Sequence, residues 1–206
     1  RIRAAHWGGR YAANNPVAWW RCDDTSGTVM SDTIGSYPGT WTGAPTFGAA
    51  GPASTYEPLS VATTLNGSTQ SGSVSYQSAL NPATFTASCA VYPTGGAGTL
   101  REVFSSWDGT RGWKIQASVG NVWVVSYRNA SATQTLTSAT AVTLNAWTVL
   151  DLTYDGTTWV LYANGAQIAT VVDTFQAATG GTVAVGATLP GRIADCGIFS
   201  GALSAT

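Results

Sequence analysis

Apolar and polar side chains alternate with a period of two through residues 147–168, the most strongly patterned stretch of the chain. Period two places successive side chains on opposite faces of a strand, so this stretch predicts strands with two different faces. Asp155-Gly156 and Asn164-Gly165 interrupt the pattern, and both dipeptides tolerate the positive φ of primed hairpin turns. The stretch therefore predicts an antiparallel β meander, and it holds no convergent acid, base or nucleophile.

Short patterned segments recur at roughly regular intervals along the rest of the chain, as in an antiparallel sandwich. Residues 1–15 are predicted to form an irregular arm. Residues 23–61, rich in Gly, Pro and Ser, are predicted to wrap the rim as a long loop with one short strand, held by Tyr37, Trp41 and Phe47. The predicted strands are 16–22, 39–42, 62–65, 72–76, 84–92, 102–107, 113–118, 122–127, 133–137, 147–154, 158–163, 166–172, 182–186 and 191–199.

Composition favours an all-β fold. The 206 residues include a single lysine and only two glutamates, whereas Thr, Ser, Gly, Val and Trp are prominent, which favours strands and turns. A β sandwich often uses a chain of this length as one unit. We therefore expect an arm at residues 1–15 and one all-β domain at residues 16–206.

The low charge excludes some classes of partner. Charged residues make up 9% of the chain and the formal net charge is −1, so no basic face is available for a nucleic-acid backbone. No apolar run approaches ~20 residues, so we expect no membrane insertion. The arm is either a solvated tail or a docking segment for protein partners in a larger assembly. Its candidate contact residues are Arg1, Arg3, Trp7 and Arg10.

Three cysteines, Cys22, Cys89 and Cys196, each lie in a predicted strand. Their spacing contains no CxxC, which argues against a zinc or redox motif. Two interpretations stay open. The thiols are free and buried, since cysteine packs as a small hydrophobe, or Cys22 and Cys196 form a disulfide, because the first and last strands of sandwiches often pair.

Catalytic chemistry is not supported by the spacing of the acidic residues. Glycan hydrolysis needs two carboxylates ~5–10 Å apart across a cleft, which on a strand requires acidic residues two positions apart. Asp23 and Asp24 are adjacent instead, and both glutamates stand alone. The only histidine, His6, lies in the arm, and no nucleophile elbow, P-loop or dinucleotide fingerprint occurs. We expect that the protein is not an enzyme.

Several residues are candidates for ligand binding. Exposed aromatic rings can act as stacking platforms for sugars, and the tryptophans near loops or on less apolar strands are the better candidates. Asp151, in the middle of a strong strand, is either a solvent-facing residue on the outer side of the sheet or an acceptor for a ligand hydroxyl. The segment that starts at Trp107 is the preferred contact site. The candidates are Trp41, Trp107, Asp108, Arg111, Trp113, Trp123 and Asp151.

The order of segments along the chain resembles a known family. The relevant segments are PVAWWRCDDTSGTVMSDTIG at 16–35, ATTLNGS at 62–68, LNPATFTASCAVYP at 80–93, VFSSWDG at 103–109, GWKIQ at 112–116, LNAWTVLDLTYDGTTWVLYANG at 144–165 and GRIADCGIFSGALSA at 191–205. Together they resemble the laminin-G-like module of the concanavalin A-like lectin/glucanase superfamily, in its bacterial and viral form. The resemblance covers about residues 16–205.

The resemblance implies a jelly roll of two curved antiparallel sheets with about 12–14 strands. It also implies a concave sheet and rim loops that hold carbohydrate or protein ligands in many relatives. Some relatives bind a structural calcium near the rim, and calcium needs several converging oxygen ligands. Turn capping by Asp24 and Asp32 is the alternative. The residues that the resemblance brings to this position are Asp24, Asp32, Asn66 and Asp195.

Three functional hypotheses follow from these observations. The first is a non-catalytic structural or adhesion module, displayed outside the cell or on a virion surface, for instance a phage capsid decoration or tail-associated protein. The second is a carbohydrate-binding, lectin-like module. The third, disfavoured by the carboxylate spacing, is a polysaccharide hydrolase or lyase. The same scaffold carries all of these functions, so the fold alone does not decide between them, and homo-oligomerisation stays open.

Overall fold

The computed structural model describes residues 13–52 and 60–204. Within these ranges the chain forms sixteen β-strands and one short 3₁₀ helix at Ser78–Leu80. The strands are β1 (Ala18–Trp20), β2 (Val29–Met30), β3 (Gly39–Thr42), β4 (Thr46–Ala50), β5 (Val61–Asn66), β6 (Ser71–Ser75), β7 (Phe85–Pro93), β8 (Arg101–Trp107), β9 (Gly112–Ala117), β10 (Val122–Arg128), β11 (Thr133–Ala141), β12 (Thr148–Tyr154), β13 (Thr158–Ala163), β14 (Ala166–Val172), β15 (Thr182–Val185) and β16 (Pro190–Ser200).

The strands form two eight-stranded antiparallel sheets. The first sheet has the order β14-β13-β12-β7-β16-β5-β4, with β1 paired to β16. The second sheet has the order β11-β10-β9-β8-β15-β6-β3-β2. This two-layer arrangement confirms the predicted all-β jelly-roll sandwich. The described ranges contain sixteen strands, more than the expected number of about 12–14.

A shared core of aromatic and aliphatic side chains lies between the sheets. Alternate residues of each strand point into it, as in Leu150, Leu152 and Tyr154 of β12. Phe85 stacks on Trp113 of the opposite sheet, with ring centroids 5.4 Å apart. Aromatic rings in offset or edge contact add stabilisation beyond the area that they bury.

The predicted meander is present, but its two turns differ. Asn164 and Gly165 both have positive φ, at 51° and 81°, as a primed two-residue hairpin requires. Asp155 does not adopt positive φ; instead its Oδ1 accepts hydrogen bonds from the backbone N–H groups of Thr157 and Thr158. The expectation of a primed turn is therefore wrong at Asp155-Gly156, where an Asx turn forms instead.

The described part of the long loop predicted for residues 23–61 contains more strands than expected. Besides β3, it contains β2 in the second sheet and β4 in the first. Trp41, predicted to lie at the rim, is 2% exposed and belongs to the core, with Tyr37 and Phe47 packed against the same core. The alternation in this region is too short to be recognised in the sequence.

The outer face of the first sheet is itself buried near its centre. Trp19, Ala90 and Phe199 belong to a second apolar cluster on this face. Asp151 points to the same side as Val149 and is 0% exposed, opposite Ser88 in the register of β12 and β7. The expectation of a solvent-facing Asp151 is therefore wrong. Within the described ranges, no helix is both long and apolar enough to cross a membrane.

Candidate functional site: the outer face of the second sheet

The outer face of the second sheet is lined mainly by small polar side chains. Along β8, Ser105 and Trp107 alternate with residues that face the core, and β15 and β6 continue this face with Thr182 and Ser75. Trp107 is the one aromatic residue among the described strand residues of this face, and it is partly exposed. The other aromatic residues in described strands of this sheet all belong to the core: Trp41, Phe104, Trp113, Trp123 and Tyr127.

The residues that pair with Trp107 on its two neighbouring strands are small. Gly112 lies opposite Trp107 on β9, with φ at 111°, and a Cβ there would collide with the carbonyl oxygen of Ser106. On the other side Trp107 pairs with Thr182 of β15. One large flat ring thus lies among short side chains, which is the arrangement that a planar sugar face can stack on.

An ion pair lies next to this ring. Lys114 Nζ is 2.7 Å from Glu102 Oε2, and the Lys114 ammonium lies 5.5 Å from the centroid of the Trp107 ring. Ser105 Oγ donates a 2.7 Å hydrogen bond to the other carboxylate oxygen of Glu102. The group therefore presents an apolar ring, a cation and an anion within one small area. We call the residues Glu102, Ser105, Trp107 and Lys114 the Trp107 patch.

The turn after Trp107 is held by Asp108. Its Oδ1 accepts from the backbone N–H groups of Thr110 and Arg111, and its Oδ2 accepts from the backbone N–H of Thr179. Partial desolvation acts to raise the pKa of Asp108, but these hydrogen bonds outweigh it and hold the pKa well below its usual range. Asp108 thus fixes the turn, while Arg111 is exposed beside it.

Three of the tryptophans predicted as platforms are not accessible. Trp41, Trp113 and Trp123 are each at most 2% exposed and belong to the core. A ring enclosed on both faces cannot stack on a sugar, so the prediction is wrong for these three residues. Of the four predicted platforms, Trp107 alone is partly exposed.

The residues predicted for calcium do not fit that ion. Asp32 Oδ1 accepts from the backbone N–H groups of Trp19 and Ile34, and its Oδ2 accepts from those of Ser36 and Tyr37. Both oxygens are thus engaged in closing the turn, which agrees with the capping role that the sequence left open.

The other three predicted ligands are engaged in the same way. Asp24 accepts from the backbone N–H of Ser31 and from Trp41 Nε1, and Asp195 Oδ1 accepts from Trp19 Nε1. Asn66 Oδ1 closes its own turn by accepting from the backbone N–H groups of residues 68–70. In residues 13–52 and 60–204 no three His, Cys, Asp or Glu side chains are placed to hold a metal ion.

All three cysteines are buried and carry free thiols. Burial raises the pKa of the Cys196 thiol well above its usual value, with Cys22 and Cys89 adding to the shift as neighbours. The structure thus corresponds to the buried-thiol interpretation rather than the Cys22–Cys196 disulfide. The predicted assembly contacts, Arg1, Arg3, Trp7 and Arg10, lie outside the described residues.

Sequence reasoning missed Glu102, Ser105 and Lys114. One signal was available, because the only lysine of the chain occurs in a strand beside an aromatic position, and one of its two glutamates occurs in the preceding strand. What joins them is the pairing of β8 with β9, which the residues alone do not specify.

Comparison with known proteins identifies the class of this fold. A family model described as the concanavalin A-like lectin/glucanases superfamily matches residues 66–206, more than half of the chain. The chain therefore belongs to this superfamily, as a laminin-G-like member. No curated protein sequence matches it.

Solved structures share the same fold at low sequence identity. Domain 4 of AbnA, an extracellular arabinanase from Geobacillus stearothermophilus in complex with arabinotriose, has a TM-score of 0.65 at 19% identity, covering 92% of this chain and 94% of that one. The carbohydrate-binding module of a Ruminococcus gnavus sialidase, bound to sialyllactose, has a TM-score of 0.52 at 18% identity, covering 62% of this chain and 80% of that one.

A third similar structure is the binding domain of botulinum neurotoxin DC, with a TM-score of 0.67 and 14% identity. The alignment covers 92% of this chain and 48% of the toxin chain, so this chain spans about half the length of that protein. At these identities the likeness establishes the fold alone.

Proposed function

We propose that this chain is a non-catalytic glycan-binding module and that the Trp107 patch is its contact surface. The observation that carries the proposal is the partly exposed Trp107 on the outer face of the second sheet, beside the ion pair of Lys114 and Glu102. Aromatic stacking supplies affinity for the apolar face of a sugar, and neighbouring polar groups orient its hydroxyls. The membership of the lectin/glucanases superfamily supports this class of function.

The placement of the carboxylates supports binding rather than hydrolysis. On the outer face of the second sheet, Glu102 is the one acidic residue among the described strand residues. Its carboxylate is engaged by Lys114 and Ser105. Hydrolysis of a glycosidic bond needs a second carboxylate across the cleft, and no other described strand of this sheet supplies one.

A glycan array tests this proposal. The wild-type chain should bind at least one glycan, and Trp107→Ala should lose that binding while retaining the wild-type melting temperature within a few degrees. Trp147→Ala is the matched control, because Trp147 is also a partly exposed aromatic residue but lies against Tyr92 of the first sheet. Equal losses in both variants, or no hit for the wild type, would overturn the proposal.

Assays for cleavage address the catalytic alternative. The purified chain should be incubated with each polysaccharide that it binds. This incubation should produce neither new reducing ends nor unsaturated products. Either product would show that a catalytic pair exists and would reject the non-catalytic part of the proposal.

Attachment to a larger assembly is a second candidate role, and it is compatible with the first. We propose that residues 1–15 dock the module onto protein partners outside the cell, with a phage virion as one such assembly. Three of the eight arginines of the chain fall within its first ten residues, although charged residues are otherwise scarce. Deletion of residues 1–15 should abolish attachment and leave the fold intact; attachment by the shortened chain would reject this role.

A further inference from the structure

The Trp107 patch contains two residue types that are rare in this chain. Lys114 is the only lysine and Glu102 is one of two glutamates in 206 residues. They meet on the outer face of the second sheet with 2.7 Å between Nζ and Oε2. Their side chains are 25% and 16% exposed respectively, so both reach the surface without being freely solvated.

The two charged groups keep hydrogen-bonding capacity on their exposed sides. Each ammonium group has three N–H donors, and Lys114 uses one of them on Glu102. A carboxylate has about four lone-pair positions, and among residues 13–52 and 60–204 the side chain of Glu102 accepts from Lys114 and Ser105. A ligand at the ring of Trp107 therefore finds a donor and an acceptor next to each other.

The two charges within the patch balance each other, because Lys114 is neutralised by Glu102. Arg111 and Arg128 lie outside the patch, Arg111 in the turn held by Asp108 and Arg128 on β10. An anionic ligand that approached Lys114 would meet the carboxylate of Glu102 at the same point, and like charges at short range disfavour binding. A neutral ligand does not incur this repulsion.

We infer that the ligand of this surface is a neutral glycan that offers two adjacent hydroxyl groups. One hydroxyl oxygen accepts from Lys114 Nζ, the neighbouring hydroxyl donates to Glu102, and the sugar ring stacks on Trp107. This inference rests on the proposed glycan-binding function and adds the charge class of the ligand. It assigns specificity to the ion pair and affinity to the ring.

Matched pairs of oligosaccharides test the inference, because a hexose and its uronate differ only in the oxidation of C6. The probes are immobilised oligomers of galactose and galacturonate, glucose and glucuronate, and mannose and mannuronate, at equal length and linkage. The wild-type chain should bind at least one neutral member more tightly than its uronate partner. That binding should change little between low and high salt, since no net charge is neutralised.

A change at Glu102 tests the ion pair directly. Glu102→Gln leaves the positive charge of Lys114 uncompensated, so the ratio of uronate to neutral affinity should rise by roughly tenfold, equivalent to about 1.4 kcal/mol. Asp23→Asn is the matched control, because it removes a carboxylate from the Arg21–Asp23 pair, which lies outside the patch. That variant should keep the wild-type ratio.

The outcomes separate this inference from the proposed function. If the wild type binds only uronates, or if Glu102→Gln leaves the ratio unchanged, the inference is overturned and glycan binding stands. If the wild type binds no member of any pair, both the inference and the proposed function are overturned. A neutral preference that shifts with Glu102→Gln and not with Asp23→Asn supports both.

Discussion

Trp41 Nε1 donates a 2.8 Å hydrogen bond to Asp24 Oδ2 at the edge of the sandwich core. From the sequence, Trp41 was a candidate sugar platform, and Asp24 was either a metal ligand or a turn-capping residue. In the structure the two side chains hydrogen-bond to each other, and Asp24 also accepts a hydrogen bond from the backbone N–H of Ser31. Both residues therefore stabilise the segment that joins β2 to β3.

Removal of Asp24 should destabilise the fold. Asp24→Ala leaves the indole N–H of a buried tryptophan without its acceptor, which costs about 1–3 kcal/mol. Apart from the effect of its smaller side chain, Trp41→Phe should destabilise the fold less than Asp24→Ala does. It removes the buried indole N–H donor itself and so leaves no buried donor without an acceptor. A double-mutant cycle from urea denaturation should give a coupling energy clearly different from zero; additive effects would contradict a direct contact.

The tryptophans predicted as platforms should separate into two groups in stability. Trp113 lies 1% exposed between Phe85 and Phe104, so Trp113→Ala should lower the free energy of unfolding by about 3–5 kcal/mol. Trp107→Ala should cost about 1 kcal/mol or less, since its ring is partly exposed. Similar losses for the two variants, measured by chemical denaturation, would contradict the assigned burial.

Acid should weaken the turn that Asp108 closes. The folded pKa of Asp108 lies below the unfolded value of about 3.9 because its hydrogen bonds outweigh desolvation. Its contribution to stability is thus present above about pH 4 and is lost as the pH falls through the folded pKa. Asp108→Asn should reduce the fall in unfolding free energy between about pH 4 and pH 2. If the unfolding free energy of Asp108→Asn falls with pH as steeply as that of the wild type, Asp108 is not responsible for the loss of stability in acid.

The three thiols should be protected in the folded chain. Cys22, Cys89 and Cys196 are all buried, which limits the access of a reagent to each of them. Burial also raises the pKa of Cys196, so little thiolate forms at that residue at neutral pH. A thiol reagent should label none of them rapidly under native conditions and all three after unfolding without reductant. Labelling of one thiol only, with a mass about two daltons lower than that of the reduced chain, would show a disulfide.

The sequence predicted most of the strands because alternating apolar and polar positions, separated by turn residues, recur along the chain. Leu150, Leu152 and Tyr154 point to the core as their period-two pattern requires. The solvent-facing alternative for Asp151 was wrong because it assumed solvent on the outer face of the first sheet, where the second apolar cluster lies instead. Burial on that face depends on contacts that local alternation does not contain.

The site was predicted only in part, and a bulge explains much of the gap. Strict alternation along β8 would place Glu102 and Phe104 on the same face. The register shifts between them, so Glu102 lies opposite Gln116 while Phe104 enters the core. A bulge of this kind reorients one side chain and leaves little trace in a single sequence. Trp107 was recognisable from its loop, but its ionic neighbours were not.

The most direct test of the account is an NMR titration of a ¹⁵N-labelled chain with a glycan that it binds. The indole N–H signals of the nine tryptophans are recorded at each step. The signal of Trp107 should shift strongly, with the backbone amides of Lys114 and Glu102. The signals of buried Trp41, Trp113 and Trp123 should move little. A titration that shifts Trp147 and leaves Trp107 unchanged would place the binding surface on the other sheet and contradict the account.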